Sequence, residues 1–322
     1  MKITMFSPST SADEFRAAMR EFSQAELFVA QEARELPEKL PGAEILIASN
    51  RPYDAEAARL IRDHGHSLKW IAFTTSGIDK ALMNGFPKGV TVTNLAGLRA
   101  FAVAEHALSL MLSLVRQTRA TGRAFAARDW ARDELSAGMD NLAGKHLVIL
   151  GTGAIGQDIA RKAKAFDMRV TGVSRSTAPL THFDAIRPRE EFEQTAGDAD
   201  FLMVAALADG STRRIVSRDI IAALPPRACI VNIARGSLID EPALIEALCA
   251  KRIAGAALDV QETEPLPPEH PLWTLDNLIL TPHVSGAGSR GTGATHASLF
   301  AENLRRWING ERLDKIVIEK TA

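Results

Sequence analysis

Residues 146–166 read HLVILGTGAIGQDIARKAKAF: an unbroken apolar run, a glycine-rich turn, and a stretch with helical spacing of its apolar residues. A short apolar run ending in glycine has the length and composition of a buried parallel strand, and the stretch after it has the period of a helix. Between them Gly151, Thr152, Gly153, Ala154, Ile155 and Gly156 spell G-x-G-x-x-G. Each glycine has its own reason to be there. Gly151 permits the tight turn, Gly153 lets a pyrophosphate approach the backbone, and Gly156 lets the helix pack closely on the strand. The helix start adds free N–H groups and the positive end of its dipole. A chain carrying this unit is restricted to a parallel sheet with crossover helices, and a dinucleotide is expected on the turn.

Strand-like runs continue at residues 168–173, 200–205, 229–233, 255–260 and 278–281, which with 146–150 makes the six strands of a full dinucleotide-binding sheet. The preceding part of the chain has its own runs at 3–6, 45–49, 70–74 and 90–93, with helical stretches at 11–22 and 54–64. At 322 residues the chain is too long for one ordinary core, so two domains are expected. Residues 101–117, FAVAEHALSLMLSLVRQ, are apolar nearly all round and read as a long buried helix at a domain or subunit interface. A helix at 292–309 and a strand-like run at 315–318 lie beyond the six strands. The economical reading is an α/β protein with two doubly wound parallel sheets, in which a dinucleotide-binding domain of residues 100–288 is inserted into a domain built from 1–99 and 289–322.

Composition narrows the partners. A formal net charge of −1 gives no reason to expect nucleic acid or an anionic membrane. No apolar run is long enough to span a bilayer, and the opening MKITMF reads as a first strand rather than a signal peptide. Cys229 and Cys249 read as reduced packing residues of a cytoplasmic protein. His64 and His66 flank Gly65 without a third ligand at metal spacing, so no metal is expected.

The choice of dinucleotide is set where the strand after the glycine turn ends. An NAD site places an acid there for the ribose 2′-OH. Eighteen residues after Gly156 this chain has Ser174-Arg175-Ser176 and no carboxylate. Arg175 can make charge-assisted bonds to a 2′-phosphate, about 1.5–3 kcal/mol each. NADP(H) is therefore the expected coenzyme, with NAD(H) left open if Arg175 only stacks on adenine.

Three polar residues follow later strands: Arg235 in NIARGSLID, Glu264 in LDVQETEPLP and His283 in TPHVSG. Ends of parallel strands form the ligand crevice, and a guanidinium, a carboxylate and an imidazole there suit carbonyl reduction. These segments and GTGAIG, in this order, resemble the signature of the D-isomer-specific 2-hydroxyacid dehydrogenases. The likeness is strong over residues 94–316. Earlier it is confined to Thr75-Ser76-Gly77-Ile78-Asp79, which is similar to the family's substrate loop.

The resemblance implies a Rossmann domain inserted into a flavodoxin-like substrate domain, a homodimer, and a small 2-oxo or 2-hydroxy acid as substrate. It also assigns roles. His283 is the acid/base, Glu264 its partner, and Arg235 the group that binds the substrate carboxylate. Backbone at Ser76 and Gly77 contacts the same carboxylate, Ser285 lines the pocket, and Asp259 and the backbone near Ala234 hold the nicotinamide amide. Glu262 is a nearby alternative to Glu264, and the spacing from Asp259 matches the family at Glu264. The combination with NADP implies glyoxylate or hydroxypyruvate. A formate dehydrogenase of this superfamily would pair the histidine with glutamine instead. A dinucleotide-sensing regulator on the same fold is the rival reading. Two departures stand out. Residues 205–210 read AALADG where relatives have a Leu-Pro-x-Thr stretch, and residues 286–293 are rich enough in glycine to form a hinge.

Overall fold

The computed structural model describes residues 1–8, 11–95, 97–288 and 295–319. The chain divides into two compact units, Met1–Leu98 with Arg290–Ala322, and Arg99–Ser289. Most of the glycine-rich segment expected as a hinge, residues 289–293, lies outside the described residues.

Among the described residues the strands are, in chain order, β1 (Lys2–Phe6), β2 (Glu26–Val29), β3 (Ala43–Ala48), β4 (Trp70–Phe73), β5 (Thr91–Thr93), β6 (His146–Leu150), β7 (Arg169–Ser174), β8 (Ala185–Pro188), β9 (Phe201–Val204), β10 (Cys229–Asn232), β11 (Gly255–Leu258), β12 (Leu278–Leu280) and β13 (Ile316–Ile318). The first unit holds a sheet of order β2-β1-β3-β4-β5-β13, the flavodoxin-like winding with one added edge strand. The added strand is the run expected near 315–318. It pairs antiparallel with β5, so this sheet is mixed at that edge rather than wholly parallel. The second unit holds β8-β7-β6-β9-β10-β11-β12, the Rossmann order extended by one strand, with every neighbouring pair parallel.

Two strands escaped the sequence pattern for a common reason. β2 is only ELFV with no residue fully buried, and β8 is AIRP, ending in proline. Both are edges, where burial is incomplete and proline is tolerated, so neither shows the apolar run of a central strand. Central β6 is the opposite case. Leu147 and Ile149 enter one core cluster while Val148 and Leu150 enter the other, so all are buried. The helix Ala100–Val115 covers one face of this sheet through Val103, Ala107 and Met111, while Glu105 and Ser109 on its outer side are exposed. It is therefore a covering helix with one polar stripe rather than one buried all round. The late helix spans His296–Ile308 and is capped by Thr295, whose Oγ1 accepts from the Ser298 N–H at 3.0 Å.

The glycine turn joins β6 to the helix Ala154–Lys164. Gly151 has φ +101°. A Cβ on Gly156 would lie 2.1 Å from the Gly151 carbonyl oxygen, whereas a Cβ on Gly153 would meet nothing within 4 Å. Gly156→Ala should therefore lower stability by about 1–3 kcal/mol through backbone overpacking. Gly153→Ala should cost at most about 1 kcal/mol, the scale of a helix-cap change. Urea midpoints of the two variants test this, and equal midpoints would refute it.

Candidate active site

The phosphate turn is fixed by the Gly151 N–H, which donates to the Val173 carbonyl at 2.9 Å. No side chain caps the helix that follows. Its first N–H groups therefore face outward beside Gly153, where the protein itself places no atom against an added Cβ. A helix start with open donors and no side chain in the way fits a pyrophosphate. Gln157 reaches back to the Thr152 carbonyl at 2.9 Å and steadies the turn. At the end of β7, Ser174 is half-buried and Arg175 and Ser176 are exposed. Ser176 Oγ accepts from the Ala178 N–H at 3.4 Å.

Arg235 sits one turn past β10. Asn232, buried at the strand end, holds this turn twice: its amide donates to the Arg235 carbonyl at 2.8 Å and its oxygen accepts from the Ala234 N–H at 3.0 Å. The Arg235 guanidinium donates to the Ala234 carbonyl at 2.7 Å. The sequence reading did not single out Asn232; a polar residue closing the buried strand CIVN was the available signal.

His283 Nδ1 lies 2.8 Å from Glu264 Oε2. The other carboxylate oxygen accepts from the Gln261 N–H at 3.2 Å. Glu262 points elsewhere, to Arg213 at 3.0 Å and Arg214 at 3.6 Å. So it is Glu264 that meets the histidine. His283 is 44% exposed, and no protein group meets its Nε2 among the described residues. Its backbone has φ +54°, a conformation that costs a residue with a Cβ about 1–3 kcal/mol and persists only where neighbours enforce it.

Asp259 enforces it. This carboxylate is fully buried. Oδ1 accepts from Thr281 Oγ1 at 2.6 Å and from the Val284 N–H at 2.9 Å, and Oδ2 accepts from the Ser285 N–H at 2.9 Å. The Asp259 carbonyl takes the His283 N–H at 2.8 Å. His106 closes the network, with Nε2 3.0 Å from Thr281 Oγ1 and 3.4 Å from Asp259 Oδ1. The family resemblance gave Asp259 to the nicotinamide amide. Here its side chain has no exposed surface and is occupied by the loop that carries His283 and the buried Ser285.

In the first unit, Ser76 and Gly77 follow β4. Ser76 Oγ donates to the Leu95 carbonyl at 2.9 Å, and the Asn94 amide donates to the Ser76 carbonyl at 2.6 Å. The backbone N–H groups of Ser76 and Gly77 have no partner among the described residues. In the second unit, the segment after β9 folds on itself. Asp209 Oδ1 accepts from the Ser211 N–H and hydroxyl, and buried Thr212 donates to the Leu207 carbonyl at 2.9 Å. Among the described residues, no group of three or more His, Cys, Asp or Glu could hold a metal ion, and no helix is long and apolar enough to cross a membrane.

Residues 108–285 match the NAD binding domain of the D-isomer specific 2-hydroxyacid dehydrogenases. The chain is 32% identical over 304 residues to D-3-phosphoglycerate dehydrogenase of Methanocaldococcus jannaschii, covering 93% of this chain but 56% of that longer protein. It is 32% identical over 299 residues to glyoxylate reductase of Pyrococcus furiosus, covering 89% of this chain and 87% of the relative. The crystal structure of a D-isomer specific 2-hydroxyacid dehydrogenase family protein from Aeromonas salmonicida superposes with a TM-score of 0.84 at 29% identity, covering 98% of both chains. The chain belongs to the D-isomer specific 2-hydroxyacid dehydrogenase family, whose members are NAD(P)-dependent oxidoreductases.

The His283–Glu264 pair has a measurable signature. Burial pushes the Glu264 carboxyl up, but the His283 hydrogen bond and charge, the Gln261 N–H and the charge of Arg235 together outweigh it and hold the carboxyl below its ordinary value. A carboxyl lowered on folding adds stability above its unfolded value and loses it as pH falls through the folded one. The stability difference between the protein and Glu264→Gln should thus be constant near neutral pH and shrink on acidification through the carboxylate range. Paired urea melts across pH test this; a difference that grows on acidification would contradict the pairing.

Proposed function

We propose that this chain reduces a small 2-oxo acid, glyoxylate or hydroxypyruvate, to the D-2-hydroxy acid with NADPH. The observation that carries the reading is the 2.8 Å His283–Glu264 pair, set just past the strand ends in the same unit as Arg235 and the glycine turn. Reduced nicotinamide, when bound, supplies the hydride to C2.

The residues divide the rest of the work. Glu264 accepts from Nδ1, which fixes the ring and leaves Nε2 to deliver a proton to the carbonyl oxygen and to recover it in the reverse direction. Arg235 grips the substrate carboxylate through its forked donors and polarises the carbonyl. By the family resemblance the backbone of Ser76 and Gly77 is assigned to substrate binding, and Ser285 to the pocket wall. Gly151 to Gly156 take the pyrophosphate, Ser174, Arg175 and Ser176 the adenosine ribose and its phosphate, and the Ala234 backbone the nicotinamide amide. Asp259 is a positioning residue for the His283 loop. Glyoxylate reductase of Pyrococcus furiosus supports the substrate class, and the absence of a carboxylate at Ser174-Arg175-Ser176 supports NADPH.

The working form is proposed to be a homodimer of residues 1–322 in the cytoplasm, consistent with the free thiols of Cys229 and Cys249. The helices Thr118–Ala127 and Arg132–Ala137 bury none of their own residues, and Phe125 and Trp130 there are 84% and 89% exposed. Apolar side chains that open to water mark an interface, here with a second copy.

The purified protein should oxidise NADPH rapidly with glyoxylate or hydroxypyruvate and NADH slowly. His283→Ala should remove nearly all turnover while dinucleotide binding stays within a few-fold. Full turnover in that variant would exclude His283 as the acid/base; tight binding with no turnover on any 2-oxo acid would favour a sensing protein. Sedimentation should give a dimer that the double variant Phe125→Glu, Trp130→Glu converts to monomer. A wild-type monomer would overturn the assembly.

A further inference from the structure

Arg189 begins the 3-10 turn Arg189–Glu191 directly after edge strand β8. In the register of β7 with β8, Ser174 faces Pro188. Arg175 and Arg189 are therefore the next residues past one paired position. Arg175 is exposed, and neither arginine has a carboxylate partner among the described residues. The acids nearby are engaged. Glu191 faces Arg187 at 3.9 Å, and Asp209 is bonded by Ser211 and Thr212, with Arg189 acting on it only as a more distant charge.

The Arg189 guanidinium is half satisfied. Its Nη1 reaches Ser211 Oγ at 3.5 Å, the outer limit of a hydrogen bond, and its Nε is fully buried with no acceptor. A buried donor left unpaired costs about 1–3 kcal/mol, more when charged, and native proteins keep very few. Two such guanidinium groups at adjoining strand ends, on the sheet edge next to the glycine turn, call for an anion. A guanidinium fork matches a phosphate's oxygens two at a time.

We propose that Arg189 is a second specificity-determining residue of the coenzyme site, donating to the phosphomonoester on the adenosine ribose of NADPH alongside Arg175. This rests on the NADPH reading and adds a residue to it. The 2′-phosphate lies between the ends of β7 and β8, and Ser211 holds the Arg189 plane in place from the loop after β9. An NADH ribose offers no anion there and leaves the Nε donor unpaired. Discrimination between the coenzymes thus comes from two strands rather than from the loop after β7 alone.

The test uses 2′,5′-ADP and 5′-AMP, which differ only in the 2′-phosphate and carry no hydride, titrated calorimetrically into the full chain. The wild type should bind 2′,5′-ADP more tightly. Arg189→Gln should weaken 2′,5′-ADP by about 10- to 100-fold, the range of a lost charge-assisted bond, and leave 5′-AMP within about twofold. Arg189→Lys, which keeps the charge without the fork, should fall between. The unfolding temperature of ligand-free Arg189→Gln should not drop, because the substitution removes an unpaired donor. Unchanged 2′,5′-ADP binding would overturn the proposal, as would an equal loss for both ligands, which would mean a contact to adenine. If Arg189→Gln keeps the full wild-type preference for 2′,5′-ADP while Arg175→Ala loses it, NADPH use stands and only Arg189 is excluded. If the wild type shows no preference, the NADPH reading fails and this inference fails with it.

Discussion

The Asp259 carboxylate is the interaction on which the His283 loop depends. It sits with no exposed surface at the end of β11 and collects a hydroxyl and two backbone N–H groups from residues 281–285. A buried carboxylate is costly unless its lone pairs are used, and these are. The bonds reach Thr281 on one side of His283 and Val284 and Ser285 on the other. The chain between them is held in a conformation that His283 would not adopt unaided. Strain at that position is the price of aiming Nδ1 at Glu264 while leaving Nε2 open. Asn232 does the same for Arg235 one strand away, through two bonds to the turn's own backbone. Both supports are polar groups at the ends of central strands, where the backbone is rigid and the side chains beyond it are not.

How much of this could be read from the sequence follows from what kind of signal each part leaves. β6 and its helix were legible because burial on both faces leaves Leu147 to Leu150 wholly apolar, and because a Cβ on Gly156 would lie 2.1 Å from backbone. β2 and β8 were not, since an edge strand half in water has no such pattern. Glu264 could be told from Glu262 only through family spacing. In space the difference is plain, because Glu262 is neutralised by Arg213 and Arg214. The role of Asp259 was the hardest to read. Nothing in LDVQETEP shows that its Asp259 carboxylate collects three donors from residues 281–285. His106 was readable as a hydrogen-bonded packing residue, but its partner Thr281 lies 175 positions away in the chain.

The charges of the second unit make a related point. Arg161 is paired with Asp158, Arg218 with Glu246 and Arg227 with Asp200, on helices and strand starts away from the crevice. Such exposed pairs contribute little to stability, about 0–1 kcal/mol each, but they cancel stray field. Among the described residues Arg175 and Arg189 at the strand ends have no carboxylate within 4.0 Å, and Arg189 has only the more distant charge of Asp209. The strands of the parallel sheet all end on one side, where Arg175 and Arg189 lie beside ion pairs such as Glu262 with Arg213 and Arg214. A coenzyme that brings a pyrophosphate to the glycine turn and a further phosphate to the ends of β7 and β8 would satisfy both sets of donors at once. His283 lies past β12, four strands from β6 and its glycine turn on the same sheet, on a loop that the Asp259 carboxylate holds.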